Sequence, residues 1–311
     1  MTDSGITVSG LRKSYRDKIV LDGIDLDVPA GAIFALLGPN GAGKTTMVHI
    51  LATLVPADGG TATVAGHDIT AQAAAVRAAI GVTGQFSAVD NLLTAEENLL
   101  LMADLHHLGR RTGRRVAAEL LERFDLTDAA RRTPATYSGG MKRRLDLAMT
   151  LVGAPRVIFL DEPTTGLDPR SRRAVWQTVR ELAAGGVTIF LTTQYLDEAD
   201  ELAGRVAVLD HGHIVAEGTP AELKRRVPGA HVRLGFAGAE ALAAARSALP
   251  AATPDEENLA LRVPGDGTVA DLRHLLDRLE TAGVEPETLS VHTPDLDDVF
   301  FALTHVAEVA A

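Results

Sequence analysis

The chain has no cysteine, which excludes disulfides and thiolate metal sites and fits a cytosolic protein. No run approaches the ~18 apolar residues needed to span a bilayer, and the Ala-rich stretch at 238–252 is short and broken by Arg246. The opening Met1-Thr2-Asp3-Ser4-Gly5 lacks a basic segment followed by an apolar one, so no signal peptide is expected. Lysine is scarce, 5 residues against 25 arginines; codon bias in a GC-rich genome would be enough to explain this, and no function is attached to it. Net positive charge is lacking as well. The formal net charge is −11, and residues 231–311 hold 14 acidic residues against 5 arginines, which leaves −2 over residues 1–230. Neither part is basic, so no nucleic-acid partner is expected. A guanine-reading Asn-Lys-x-Asp is also missing.

What is present fits an ordinary globular protein. Hydrophobic residues make up 46% and charged residues 23% of 311, enough for one sizeable core and a second small domain. The most informative stretch is Gly38-Pro39-Asn40-Gly41-Ala42-Gly43-Lys44-Thr45-Thr46, a G-x-x-x-x-G-K-T phosphate-binding loop. The apolar run Ile33–Leu37 before it reads as a buried parallel strand. Met47, Ile50, Leu51 and Leu54 after it recur at helical spacing. Gly38, Gly41 and Gly43 let the backbone curl so that N–H groups converge on anionic oxygens, and the helix adds its positive end. Lys44 brings a charge to the β- and γ-phosphates, Thr45 offers a hydroxyl to Mg²⁺, and Thr46 can hold a phosphate.

Two further stretches carry chemistry. Val157–Leu160 is an apolar strand ending in Asp161 and Glu162. Asp161 is placed to hold Mg²⁺ and Glu162 to polarise an attacking water as general base. Pro163–Asp168 then forms a tight loop, with Asp168 available for a hydrogen bond across a subunit boundary. Ser138-Gly139-Gly140 opens a helix marked by Met141, Leu145, Ala148, Met149 and Val152, which makes a second anion-binding helix end. One phosphate loop does not need two such sites, so the second points to a nucleotide held by another subunit. Gln85 ends the strand Ile80–Val82, where its amide either reaches a metal-bound water or a γ-phosphate or is an ordinary surface group; Gln194 stands at the carboxyl end of Val187–Leu191. Tyr15 either stacks on a base or packs at a strand end; its segment leaves both open.

The remaining elements are strands at 6–11, 19–28, 61–66, 206–209 and 213–216, and helices at 71–79, 94–108, 113–124, 169–184, 195–202 and 219–226. Thr94-x-x-Glu97 is a capping box. The cluster Arg110, Arg111, Arg114 and Arg115 reads as a solvated turn. Beyond a linker at 227–230, strands at 231–236, 258–263 and 287–292 alternate with helices at 238–248, 268–281 and 294–304. The last helix is expected to have Thr293 as N-cap and Pro294 at its first position.

In this order and spacing the motifs resemble the nucleotide-binding subunit of ATP-binding cassette (ABC) transporters over about residues 5–226. Gly38–Thr45 matches Walker A, Gln85 the Q-loop, Ser138–Gly140 the signature, Val157–Glu162 Walker B and Thr165–Asp168 the D-loop. Tyr15 falls where the family stacks adenine. Met141 in place of the usual signature Gln, and Gln194 in place of the switch His, are similar to the daunorubicin/doxorubicin-resistance type of drug-export ATPase. So are Gly81–Phe86 and Leu296-Asp297-Asp298-Val299-Phe300. Gln194 can hydrogen-bond a γ-phosphate but cannot carry a proton.

The resemblance implies an α/β P-loop NTPase: a RecA-like core, an antiparallel β subdomain and an α-helical subdomain at about 86–154. Together these form an ATP-binding domain over 1–226, followed by a small acidic α+β accessory domain over 227–311. It implies ATP and Mg²⁺ as cofactors and ATP hydrolysis with Glu162, Gln194 and Gln85 as catalytic groups. Thr45, Gln85 and Asp161 would serve the metal. Tyr15, Gly38–Thr46, Ser138, Gly139, Gly140 and Asp168 would bind nucleotide in a head-to-tail homodimer. A separate membrane permease is the implied partner, export the direction, and the cytoplasmic face of the membrane the location. The alternative is a soluble cassette ATPase with a regulatory, ribosome-associated or DNA-associated role.

Overall fold

The structure, a computed structural model, describes residues 4–84, 88–226, 230–265, 267–292 and 294–309, the last seven by backbone alone. Two compact units divide the chain, Met1–Pro220 and Ala221–Ala311.

In the first unit, alternating apolar residues build an antiparallel sheet. β1 (Ser4–Tyr15) pairs with β2 (Lys18–Pro29) on one side and β4 (Gly59–Val64) on the other, with β5 (His67–Asp68) at the edge. β1 reaches Tyr15, four residues past its expected end, because bulges near Gly10 bend the strand and keep it paired. Gly60 is required where β4 crosses β1: a Cβ there would lie 2.4 Å from Gly10 O.

The second sheet has the order β10 (His213–Gly218), β9 (Arg205–Asp210), β3 (Ile33–Leu37), β8 (Thr188–Thr193), β7 (Val157–Asp161), β6 (Ile80–Thr83). All its pairs are parallel except β9 with β10. Continuous apolar runs fit these strands because both faces are covered. Phe190 on β8 stacks on Phe34 of β3 at 5.6 Å and meets Phe159 of β7 at 5.8 Å, and all three are fully buried.

Helices carry the chain between strands: α1 (Lys44–Leu51), α2 (Ala73–Ala79), α3 (Ala95–Leu105), α4 (Arg110–Arg123), α5 (Gly139–Thr150), α6 (Pro169–Ala184) and α7 (Leu196–Leu202). The capping box of α3 forms, with Thr94 Oγ1 accepting from the Glu97 N–H and Glu97 Oε2 from the Thr94 N–H. The arginine cluster is not a turn. Arg110, Arg111, Arg114 and Arg115 lie on α4, exposed. Gly113, expected to begin the helix, lies inside it where α4 crosses α3, its would-be Cβ 3.0 Å from Ala103 Cβ. α8 (Pro220–Arg225) spans the division between the units.

In the second unit the sheet order is β12 (Thr253–Asp255), β13 (Ala260–Pro264), β11 (His231–Gly235), β14 (Thr288–His292), antiparallel throughout. Val232, Leu234, Leu261 and Val263 pack with α9 (Ala239–Ala248) and α10 (Val269–Thr281) through Leu242, Ala245, Leu275 and Leu279. β12 escapes sequence reading because Pro254 marks a turn more often than a strand; an edge position tolerates it. The last helix, α11 (Leu296–Val309), starts later than expected. Thr293, expected as its cap, lies outside the described residues. Asp295 Oδ1 accepts from the Asp298 N–H at 2.9 Å and Asp298 Oδ2 from the Asp295 N–H at 3.1 Å. These are the two bonds of a capping box, so Asp295 caps the helix and Pro294 lies ahead of it rather than at its first position.

Candidate active site

β3, β8 and β7 are neighbours, so whatever follows their carboxyl ends is brought together. After β3 comes the loop Gly38–Thr46. At Gly38 a Cβ would lie 2.4 Å from Leu209 O of β9; at Gly43, with φ 113°, it would lie 2.8 Å from Val20 O. Only glycine lets the loop curl this tightly. Pro39, Asn40, Gly41 and Ala42 complete the turn, which the Ala42 N–H closes on Pro39 O at 3.3 Å. Lys44 opens α1 and is buried, and its Nζ donates to Gly38 O at 2.7 Å and Pro39 O at 3.0 Å. Burial lowers the Lys44 pKa, while Glu162 and Asp161 act to raise it. Thr45 is exposed and Thr46 half-buried at the start of the helix.

β7 delivers the two carboxylates. Asp161 is buried and paired in register with Thr192 of β8, whose hydroxyl donates to Asp161 Oδ1. Glu162 leaves the strand in a left-handed conformation, φ 48°, unusual for a residue with a Cβ. The bend is held by its N–H, which donates to Thr192 O at 3.0 Å. It turns the carboxylate toward the loop: Glu162 Oε1 stands 3.9 Å from Lys44 Nζ, and Oε2 accepts from Thr165 Oγ1 at 3.2 Å. A lysine and a carboxylate thus face each other beyond the carboxyl ends of β3 and β7. Gln194 follows β8, half-buried. Gln85 lies outside the described residues.

Ser138 caps α5, its Oγ accepting from the Met141 N–H at 3.2 Å. Among the described residues no hydrogen bond joins Ser138, Gly139 or Gly140 to the Gly38–Thr46 loop of the same chain. Asp168 has a partner within the chain that sequence reading missed: it caps α6, accepting from the Ser171 N–H at 2.9 Å and Ser171 Oγ at 2.7 Å. These bonds hold the Asp168 carboxyl below the usual range. Tyr15 is 47% exposed, with Lys13 Nζ 5.3 Å from its ring centroid. Lys13 is itself fixed by Asp58 Oδ1 at 2.8 Å. Thr192, Lys13, Asp58, Arg143, Asp146 and Glu198 carry no motif signal; only contacts between distant segments single them out.

The donor set suits a nucleotide and a hard cation. Among the described residues no group of three or more His, Cys, Asp or Glu could hold a metal unaided. One carboxylate (Asp161) and one hydroxyl (Thr45), completed by phosphate oxygens, is the usual provision for Mg²⁺.

Comparison with known proteins agrees with this geometry. Residues 21–165 match the family described as "ABC transporter". The chain is 49% identical over 306 residues to the daunorubicin resistance ATP-binding protein DrrA3 of Streptomyces coeruleorubidus, covering 98% of this chain and 97% of that protein. It is 48% identical over 304 residues to the daunorubicin/doxorubicin resistance ATP-binding protein DrrA of Streptomyces peucetius, covering 96% and 92%. Among solved structures it is similar to an ATP-binding cassette solved as a dimer in a post-hydrolysis state with ADP and phosphate. That likeness has a TM-score of 0.62 at 25% identity and covers 69% of this chain and 98% of that one. With Lys44 of the glycine-rich loop facing the Glu162 carboxylate, and likeness over nearly its whole length, the chain belongs to the ABC transporter family as an ATP-binding, ATP-hydrolysing subunit of the daunorubicin/doxorubicin-resistance type.

Proposed function

We propose that this ATPase subunit powers export of a hydrophobic, antibiotic-like compound through a permease carried on a separate chain, working as a homodimer at the cytoplasmic face of the membrane. Among the described residues no helix is long and apolar enough to cross a membrane, and in this reading the membrane route is supplied by the permease. The hydrolytic part of the reading is carried by the approach of Lys44 Nζ to Glu162 Oε1, 3.9 Å. Drug export is supported by the names of the relatives that match nearly end to end.

In this reading the Gly38–Thr46 amides and Lys44 hold the phosphates, and Tyr15 stacks on adenine with Lys13 behind its ring. Mg²⁺, when bound, neutralises charge on the phosphoryl oxygens; Thr45, Asp161 and Gln85 are the residues that would hold it. Glu162 takes the proton of the attacking water on its carboxylate. Gln194 donates an amide hydrogen bond to the γ-phosphate without moving a proton. Ser138, Gly139 and Gly140 of one copy close on the nucleotide seated in the other, and Asp168 lies at the same boundary. ATP holds the pair closed, and hydrolysis releases it.

The test is light scattering on the Glu162→Gln variant with and without Mg-ATP. Hydrolysis should fall by about 100-fold or more, and the variant should pass from monomer to dimer on adding ATP. A bulky residue at Ser138 should abolish the shift. Hydrolysis near the parent rate would remove Glu162 as the base. A monomer that binds ATP would overturn the shared site. ATP-dependent doxorubicin uptake into inverted vesicles holding the subunit and its permease tests export.

A further inference from the structure

Both flanks of Gln85 are gripped by one helix. Arg143 Nη1 on α5 donates to Gly84 O at 3.2 Å and to Asp146 Oδ2 at 3.1 Å. The other oxygen of Asp146, Oδ1, accepts from the Ala88 N–H at 3.1 Å. Gly84 and Ala88 stand on either side of residues 85–87. Both side chains are interior, Arg143 9% and Asp146 3% exposed. One turn further along α5, Thr150 Oγ1 lies 2.9 Å from Thr83 Oγ1 at the end of β6, and donates back to Asp146 O at 2.9 Å. Gly81 is needed there, since its Cβ would meet Thr150 Cγ2 at 2.4 Å.

A purely structural role does not call for this arrangement. A buried ion pair is often no more stabilising than a well-packed apolar pair of the same size. What it adds is direction: a planar guanidinium aimed at one carbonyl and a carboxylate aimed at one amide. The helix that carries them is the one whose first turn is Ser138-Gly139-Gly140.

We propose that Arg143 and Asp146 are positioning residues for hydrolysis. They fix the separation of Gly84 from Ala88, the described residues on either side of the segment that holds Gln85, in step with the Ser138 end of α5. This rests on the role of Gln85 proposed above. Neither residue touches nucleotide; both act through the backbone on either side of Gln85.

The experiment uses the full chain with Arg143→Met and Asp146→Leu combined, and Gln85→Ala as reference. Both replacements are apolar, so the ion pair is removed without leaving half of it buried. The double variant is expected to bind ATP one to one with KM within about twofold of the parent, while kcat falls by about tenfold or more. Hydrogen exchange of the Ala88 amide should speed up by about tenfold or more as its acceptor is lost. A parent-like kcat in the double variant, with Gln85→Ala impaired, overturns the clamp and leaves the Gln85 role standing. So does a fallen kcat with unchanged Ala88 exchange. Parent-like hydrolysis in Gln85→Ala overturns the Gln85 assignment and the proposal with it. Should the double variant not bind ATP, Arg143→Lys decides. It keeps the charge but lacks the planar fork, so an intermediate kcat at unchanged KM supports the clamp and a parent-like kcat overturns it.

Discussion

Glu198 is an acid in the interior, bonded to Thr164 of the loop 163–168. It is fully buried on α7, and its Oε1 accepts from Thr164 Oγ1 at 2.8 Å and Trp176 Nε1 at 3.0 Å. Burial pushes its carboxyl up, against the lowering pull of hydrogen bonds from Thr193, Thr164 and Trp176. The folded chain therefore keeps this proton at pH values where the unfolded chain has lost it. Its contribution to stability is complete below the ordinary glutamate range and is lost as pH rises towards the raised value. Glu198→Gln keeps the acceptor oxygen and removes the titration. Thermal melting across pH should show the variant gaining on the parent as pH rises to neutrality. Glu198→Ala leaves the Thr164 hydroxyl and the Trp176 N–H without a buried acceptor and should cost about 1–3 kcal/mol at pH values below the ordinary glutamate range, the deficit shrinking as pH rises. At the other end of the site, Tyr15→Ala should weaken ATP binding by about tenfold if the ring stacks on adenine; titration calorimetry reads this directly. Lys44, Asp161 and Glu162 are legible in the sequence because their work needs neighbours in the chain: a loop before a helix, two acids after a strand. Glu198 is not, because its partners lie on three separate segments.

Elements differ in how far their residues announce them. β3 and α6 have the bounds the sequence predicts, since an apolar run closed by glycine and a helix opened by Asp168-Pro169 are local signals. α4, β12 and α11 depart from expectation for different reasons: α4 begins at Arg110 and packs Gly113 against α3, β12 takes Pro254 at a sheet edge, and the local Asp295–Asp298 capping bonds start α11 later. The central strand β8 carries a testable load. Phe190 is enclosed by Phe34 and Phe159, so Phe190→Ala should cost about 3–5 kcal/mol. Urea unfolding should show a lower midpoint with the slope unchanged.

At the scale of the whole molecule the chain holds two compact units, each with a core of its own. A fragment spanning 221–311 should therefore fold alone, giving a mixed α/β circular dichroism spectrum and one cooperative thermal transition that Mg-ATP does not move. The full chain, by contrast, should show a transition raised by nucleotide, by about 2.7 kcal/mol at a hundredfold excess over the dissociation constant. A fragment without a cooperative transition would show that its core depends on the rest of the chain.

By itself the sequence determined the kind of protein this is. The loop 38–46, the acids 161–162 and the Ser138 helix end are short-range patterns, and their residue types follow from phosphate, water and cation chemistry. Only the tertiary structure decided how these pieces meet. The left-handed turn at Glu162 that aims it at Lys44, the Thr192 hydroxyl on Asp161 and the grip of α5 on both sides of Gln85 each join segments far apart in the chain. Strand order and helix packing set such contacts, and no local pattern encodes them.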